Sequence, residues 1–108
     1  MSLITIEQFF QTDLQVATIT AAEPISNSNK LLKMSVDLGS ETRVLVAGIA
    51  REYPCEDLLG RQVIVVTNLQ PAKLMGVESQ GMVLAASVDG RPVLLQPGEE
   101  VPNGTAVK

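Results

Sequence analysis

The chain has no histidine, no tryptophan and one cysteine, Cys55. Without histidine there is no Ser-His-Asp triad, no Cys-His dyad and no imidazole metal ligand. A lone cysteine makes no internal disulfide and no CxxC redox or zinc site. Its neighbours Glu56 and Asp57 argue further against a reactive nucleophile, because thiolates form in electropositive surroundings. Aromatics are 3% of the chain, namely Phe9, Phe10 and Tyr53. The stacking platform that usually holds single-stranded nucleic acid is therefore missing. Charged residues are 19%, below the ~25% usual in soluble proteins. No apolar run approaches the roughly 18 residues of a membrane span, and no secretory leader pattern is seen. A cytoplasmic protein with no membrane partner is expected. No glycine cluster forms a P-loop or a dinucleotide fingerprint, and the carboxylates are scattered as singles or adjacent pairs. No catalysis, cofactor or metal is expected.

What is present is a short, strand-rich pattern. The 108 residues are expected to form one domain over 1–108, given a prior of about 100–200 residues per domain. Lys+Arg 8 against Asp+Glu 12 leaves a net charge of −4, with no basic tail to announce a nucleic-acid partner. Thr5 and Gln8 have the spacing of a capping box, and Ile4 with Phe9 that of a hydrophobic staple, so a short helix opens the chain. From Leu14 the period becomes two, with Leu14, Val16 and Thr18 on one face. Pro24 and the polar run Ser26 to Asn29 end that strand. Leu31 to Leu38, the turn Gly39-Ser40, and Thr42 to Ala47 read as a hairpin. Arg51 to Leu59 is a connector with a helical turn at Cys55 to Leu58. Gln62 to Asn68 is a strand whose β-branched Val63 to Val66 predict burial on both faces. A long loop from Leu69 to Gln80 follows, then a strand from Gly81 to Ser87. Asp89-Gly90 is a hairpin turn leading to Val93 to Leu95, and the chain closes through Asn103-Gly104 to Ala106-Val107.

Five short strands with turn chemistry between them fit an all-β OB-fold barrel, although a small sandwich gives nearly the same pattern. The Leu69 to Gln80 loop lies between two strong strands, where binding residues concentrate. It offers amide, ammonium and hydroxyl groups, with thioethers at Met75 and Met82 able to pack on a base or ribose. Lys30 and Lys33 sit at the start of the second strand. Lys33 and Arg43 lie on the two arms of the first hairpin, with 33 pairing with 46, and are expected to share a face.

Several motifs in order resemble the tRNA-binding domain family. The carriers are Thr12 to Ala17, Asn29 to Gly39, Arg43 to Ala50 with Tyr53-Pro54, Asn68-Leu69-Gln70-Pro71-Ala72-Lys73-Leu74-Met75-Gly76, and Glu78-Ser79-Gln80-Gly81-Met82. That family includes the C-terminal domain of many methionyl-tRNA synthetases, stand-alone structure-specific tRNA-binding proteins and the endothelial monocyte-activating polypeptide. The resemblance implies an OB-fold with a C-terminal β extension and homodimers formed by the terminal segments. It also implies a non-catalytic role in holding tRNA for an aminoacyl-tRNA synthetase. Carried over by position, it implies that Lys30, Lys33, Arg43, Asn68, Lys73, Ser79 and Met82 face RNA. The cations would meet phosphates, Asn68 and Ser79 would hydrogen-bond sugar or base edges, and Met82 would make the apolar contact. The chain departs from the family at Gln15, where arginine is frequent, and at Ala72, where a basic residue is common. It departs again at Asn29, where aspartate is usual, and at Ala17, where glycine is usual. The lost charge implies weak, salt-labile RNA binding. Leu94 to Pro97 and Val101 to Thr105 also resemble the ending of a dimeric secretion chaperone that binds unfolded polypeptide. A purely structural dimerisation module attached to a synthetase is a third reading.

Overall fold

The computed structural model describes residues 1–108. In chain order the elements are α1 (Ile6–Phe9), β1 (Leu14–Pro24), β2 (Leu32–Asp37), β3 (Thr42–Ala47), α2 (Cys55–Leu58), β4 (Gln62–Val66), β5 (Ala72–Leu74), β6 (Val77–Ser79), β7 (Met82–Val83), β8 (Ala85–Val88) and β9 (Arg91–Leu94). Period-two burial fixes how they meet. In β2 the side chains of Leu32, Met34 and Val36 are buried, and Lys33, Ser35 and Asp37 lie on the other face. A slip of one residue would expose the whole apolar set, so the register is tightly specified. Five antiparallel strands run in the order β3-β2-β1-β4-β7, the OB-fold order, and form the nearly closed barrel that the sequence predicts. Ile19, Met34, Leu45, Val63 and Val65 fill it, and α2 adds the fully buried Leu58. All of Val63 to Val66 are buried, as the β-branched run predicts.

β1 is longer than expected and runs through Pro24. Its first half pairs with β4 and its second with β2, and the register shifts between Ile19 and Ala21. Such an irregularity bends a strand and lets it serve two neighbours. The free edge beside Leu14 and Val16 is covered by the C-terminal segment. Val16 N–H donates to the Thr105 carbonyl at 2.9 Å, and Gly104 N–H to the Val16 carbonyl at 2.7 Å. Asn103 Oδ1 accepts from Thr18 Oγ1 at 2.7 Å and from Gln62 Nε2 at 3.1 Å. Gly104 (φ +87°) passes so close to the first hairpin that a Cβ there would lie 2.4 Å from the Leu38 carbonyl oxygen. Only glycine permits that crossing.

Two segments differ from the sequence expectation. The Leu69 to Gln80 loop contains the hairpin β5–β6, closed by Met75 (φ 49°) and Gly76 (φ 81°). The strand expected over Gly81 to Ser87 divides: Met82–Val83 stays on the barrel, and Ala85–Val88 pairs with β9 in a separate two-stranded sheet. The capping box of α1 is formed, with Gln8 N–H donating to Thr5 Oγ1 and Thr5 N–H to Gln8 Oε1. None of the α1 side chains is buried. No helix is long and apolar enough to cross a membrane.

Candidate nucleic-acid interface

β3 is an edge strand, and its outward N–H and C=O groups need partners. The Ser79-Gln80-Gly81 motif supplies them. Ser79 Oγ accepts from Val46 N–H at 2.9 Å and donates to the Gly81 carbonyl at 2.9 Å. Gln80 exchanges two bonds with Val44: its N–H donates to the Val44 carbonyl at 2.8 Å, and its Oε1 accepts from Val44 N–H at 2.9 Å. One serine and one glutamine thus stand in for a strand and join β3 to the β6–β7 side of the barrel. Gly81 (φ +145°) makes the closure possible, since a Cβ there would lie 2.7 Å from the Val66 carbonyl oxygen. Ser79 is 4% exposed, so Ser79→Ala leaves Val46 N–H buried without an acceptor. The expected cost is about 1–3 kcal/mol, read as a lower urea midpoint with an unchanged denaturant slope.

Arg43 and Asn68 are likewise engaged within the protein. Arg43 pairs with Val36 in the ladder, whereas Lys33 pairs with Val46. Directly opposed residues share a face, so Arg43 lies on the inner face with Val36 and Lys33 on the outer face. The expected shared face is corrected by this register. Arg43 Nη1 donates to the Thr67 carbonyl and, at 3.2 Å, to the Gln80 carbonyl, and its Nε meets Glu41 at 2.8 Å. That guanidinium, through its hydrogen bond and then its charge, holds the Glu41 carboxyl below the usual carboxylate range. Asn68 Oδ1 accepts from Asp13 N–H at 2.8 Å, and its Nδ2 donates to the Gln11 carbonyl at 2.6 Å. Arg43, Asn68 and Ser79 therefore fix the frame around the hairpin loop.

The remaining residues are accessible. Lys30 and Lys73 are exposed. Lys33 makes a half-exposed contact with Glu23 at 3.6 Å, a kind of pair worth about 0–1 kcal/mol that a phosphate can replace. Met82 is 47% exposed and lines a groove of about 410 Å³ between β3 and the β5–β6 hairpin. Val46, Ala47, Leu69, Ala72 and Leu74 are among the apolar residues of its wall, and no carboxylate lines it. Lys33 stands opposite Val46 on the outer face but does not line the groove: its ammonium turns across β1 to Glu23, over a separate hollow with Ala21, Ala22 and Ser35. Lys73 lies between Ala72 and Leu74 on β5 and so points away from the groove, on the face it shares with Glu78. Tyr53 is not free for stacking: its hydroxyl accepts from Leu94 N–H at 3.1 Å, and Arg61 covers its ring at 5.1 Å.

The structural roles of Gln62 and Asn103, and that of Gln80 within its motif, were not signalled by the sequence, because side chains that tie strand edges leave no periodicity. Arg51 was also missed: its Nη2 donates to Asn29 Oδ1 at 3.2 Å.

Residues 14–106 match the family described as "Putative tRNA binding domain". Methionine–tRNA ligase of Methanothrix thermoacetophila is 52% identical over 106 residues, which is 98% of this chain and 16% of the ligase. The chain thus spans about one sixth of the length of the curated relatives it matches. A methionyl-tRNA-synthetase-related protein of Pyrococcus horikoshii superposes with a TM-score of 0.95 at 42% identity, covering 100% of both chains. The chaperone CsaA of Bacillus anthracis superposes with a TM-score of 0.90 at 33% identity, covering 99% of this chain and 100% of that one.

Proposed function

The chain belongs to the tRNA-binding domain family, and from that premise we propose that it binds tRNA by shape, without catalysis, as a homodimer. In this reading it presents tRNA to an aminoacyl-tRNA synthetase. The observation that carries the reading is the groove beside β3. In a chain with 12 acidic residues, its wall has no carboxylate and Met82 lies in it, with Lys33 on the outer face one strand away. Lys30, Lys33 and Lys73 contact phosphates, and Met82 packs on a sugar or base. Arg43, Asn68 and Ser79 position the hairpin loop instead of touching RNA directly. Few aromatics and few free cations make the recognition one of backbone shape and 2′-hydroxyls.

Titrating tRNA into the protein across a salt series tests this. Three phosphate contacts predict a log–log slope of about −2 to −3 per protomer. A variant with Lys30, Lys33 and Lys73 all changed to alanine should lose most of that slope. Equal binding by this variant and the unaltered chain overturns the site, and no binding by either at low salt overturns the function.

A second reading is favoured by the same groove, because its lining is mostly apolar and a chaperone shares this fold. Here it takes side chains of an unfolded polypeptide. It predicts suppression of client aggregation that survives the triple lysine change and is lost when Met82 becomes glutamate.

A further inference from the structure

Of the 8 lysines and arginines, Lys33 and Arg43 are ion-paired. Arg61 lies over Tyr53 and donates to the Asp57 carbonyl. Among the others, the fold brings Lys30 and Arg51 together. The Lys30 carbonyl accepts from Ala50 N–H at 3.0 Å, placing the β1–β2 loop against the segment after β3. Asn29 Oδ1 accepts from Arg51 Nη2 at 3.2 Å. Both cations are exposed, and neither has a carboxylate within ion-pair distance, including the adjacent Glu52.

We infer that Lys30 and Arg51 form a corner that binds an RNA phosphate, with Asn29 as the residue that positions the guanidinium. This rests on the tRNA-binding reading and deepens it, since Arg51 is not among the residues the family resemblance implies. A guanidinium carries five N–H donors. The amide uses one of them and adds no charge, so the rest of the fork remains for the bidentate geometry that phosphate favours. A carboxylate at position 29 would instead pair with Arg51 and cancel its charge. The loop is already ordered: Ser28 Oγ accepts from Leu31 N–H at 3.0 Å and from Lys30 N–H at 3.3 Å. Little further ordering is needed when the phosphate arrives.

The test is fluorescence anisotropy of labelled tRNA against the full chain across a salt series. Arg51→Gln is expected to weaken binding about fivefold at low salt and to make the log–log slope shallower by about 0.7–0.9. Asn29→Asp should do the same, while Gln96→Asp adds the same charge elsewhere and should change little. Urea midpoints close to that of the unaltered chain confirm that the fold is kept. If the unaltered chain binds tRNA and Arg51→Gln keeps both its affinity and its slope, the corner is overturned and the tRNA-binding reading stands. The corner is equally overturned if Asn29→Asp and Gln96→Asp weaken binding alike. If the unaltered chain binds no tRNA at any salt, the reading itself falls, and the corner with it.

Discussion

Arg43→Met is expected to lower folding stability by about 2–4 kcal/mol, because it strips two carbonyls of their charged donor. The Thr67 carbonyl directly follows β4 on a residue that is itself buried, and the Gln80 carbonyl belongs to the segment that completes the edge of β3. The Arg43 side chain is 23% exposed, so water replaces the lost donor poorly at the part-buried Thr67 carbonyl, and more readily at the exposed Gln80. Lysine should not restore the loss, since an ammonium lacks the fixed fork that reaches two carbonyls and Glu41 together. Urea unfolding measures the loss. The same variant, studied where it is folded, should keep the salt slope of tRNA binding, which separates a strut from a phosphate contact. Acid adds a second signature. The folded Glu41 carboxyl is held low by the Arg43 hydrogen bond and charge. The pair's contribution is therefore present above the ordinary carboxylate pKa and fades as pH falls through the lowered one. Arg43→Met should not show that fading, so the two proteins should approach each other in stability at low pH.

The legible part of the fold was whatever packing and local turn chemistry decide together. Strands β2, β3 and β4 alternate or run β-branched against one core, and their expected bounds fall within a few residues of those observed. Two hairpins show where legibility stops. Asp89-Gly90 and Met75-Gly76 close turns with both central residues at positive φ, 51° and 81° in the first and 49° and 81° in the second. The first reads as a turn because aspartate tolerates that region and is common there. The second hides, because methionine pays a steric cost that only the surrounding hairpin offsets, and a loop was expected in its place. Site residues divided in the same way. The family resemblance marked Ser79, Asn68 and Arg43 as RNA-facing, but their hydrogen-bond partners include backbone atoms distant in sequence: Val46, Asp13 and Thr67. Nothing in a linear pattern separates a hydroxyl that closes a barrel from one that meets a ribose.

The N-terminal segment carries the other large expected effect. A helix of four residues has no stability of its own, and none of the α1 side chains is buried on the barrel. Leu3, Ile4, Ile6, Phe9 and Phe10 are 88%, 66%, 60%, 39% and 54% exposed. The chain behind them is held firmly by Asn68, which bonds Gln11 and Asp13, so the apolar face is fixed in place. Beside it lies a cleft of about 580 Å³ of mixed lining, with Phe10, Leu14, Ala106 and Val107 beside polar residues that include Asp13 and Lys108. A second copy of the chain suits this face: Glu7 is the only charged residue before Asp13, and a two-fold axis would bury each ring twice over. Full burial is worth about 1.5–3 kcal/mol per phenylalanine; a dimer would cover four rings that are 39% and 54% exposed in each copy, so Phe9→Glu with Phe10→Glu should weaken it by at least about a hundredfold. Sedimentation of the unaltered chain is expected at twice 11.5 kDa, and of the double variant at 11.5 kDa, with matching far-UV circular dichroism. Affinity for tRNA should fall with dissociation, because two linked phosphate faces become one. An unaltered chain that sediments as an 11.5 kDa species at micromolar concentration would leave the stripe without its partner and remove the dimer from the proposed function.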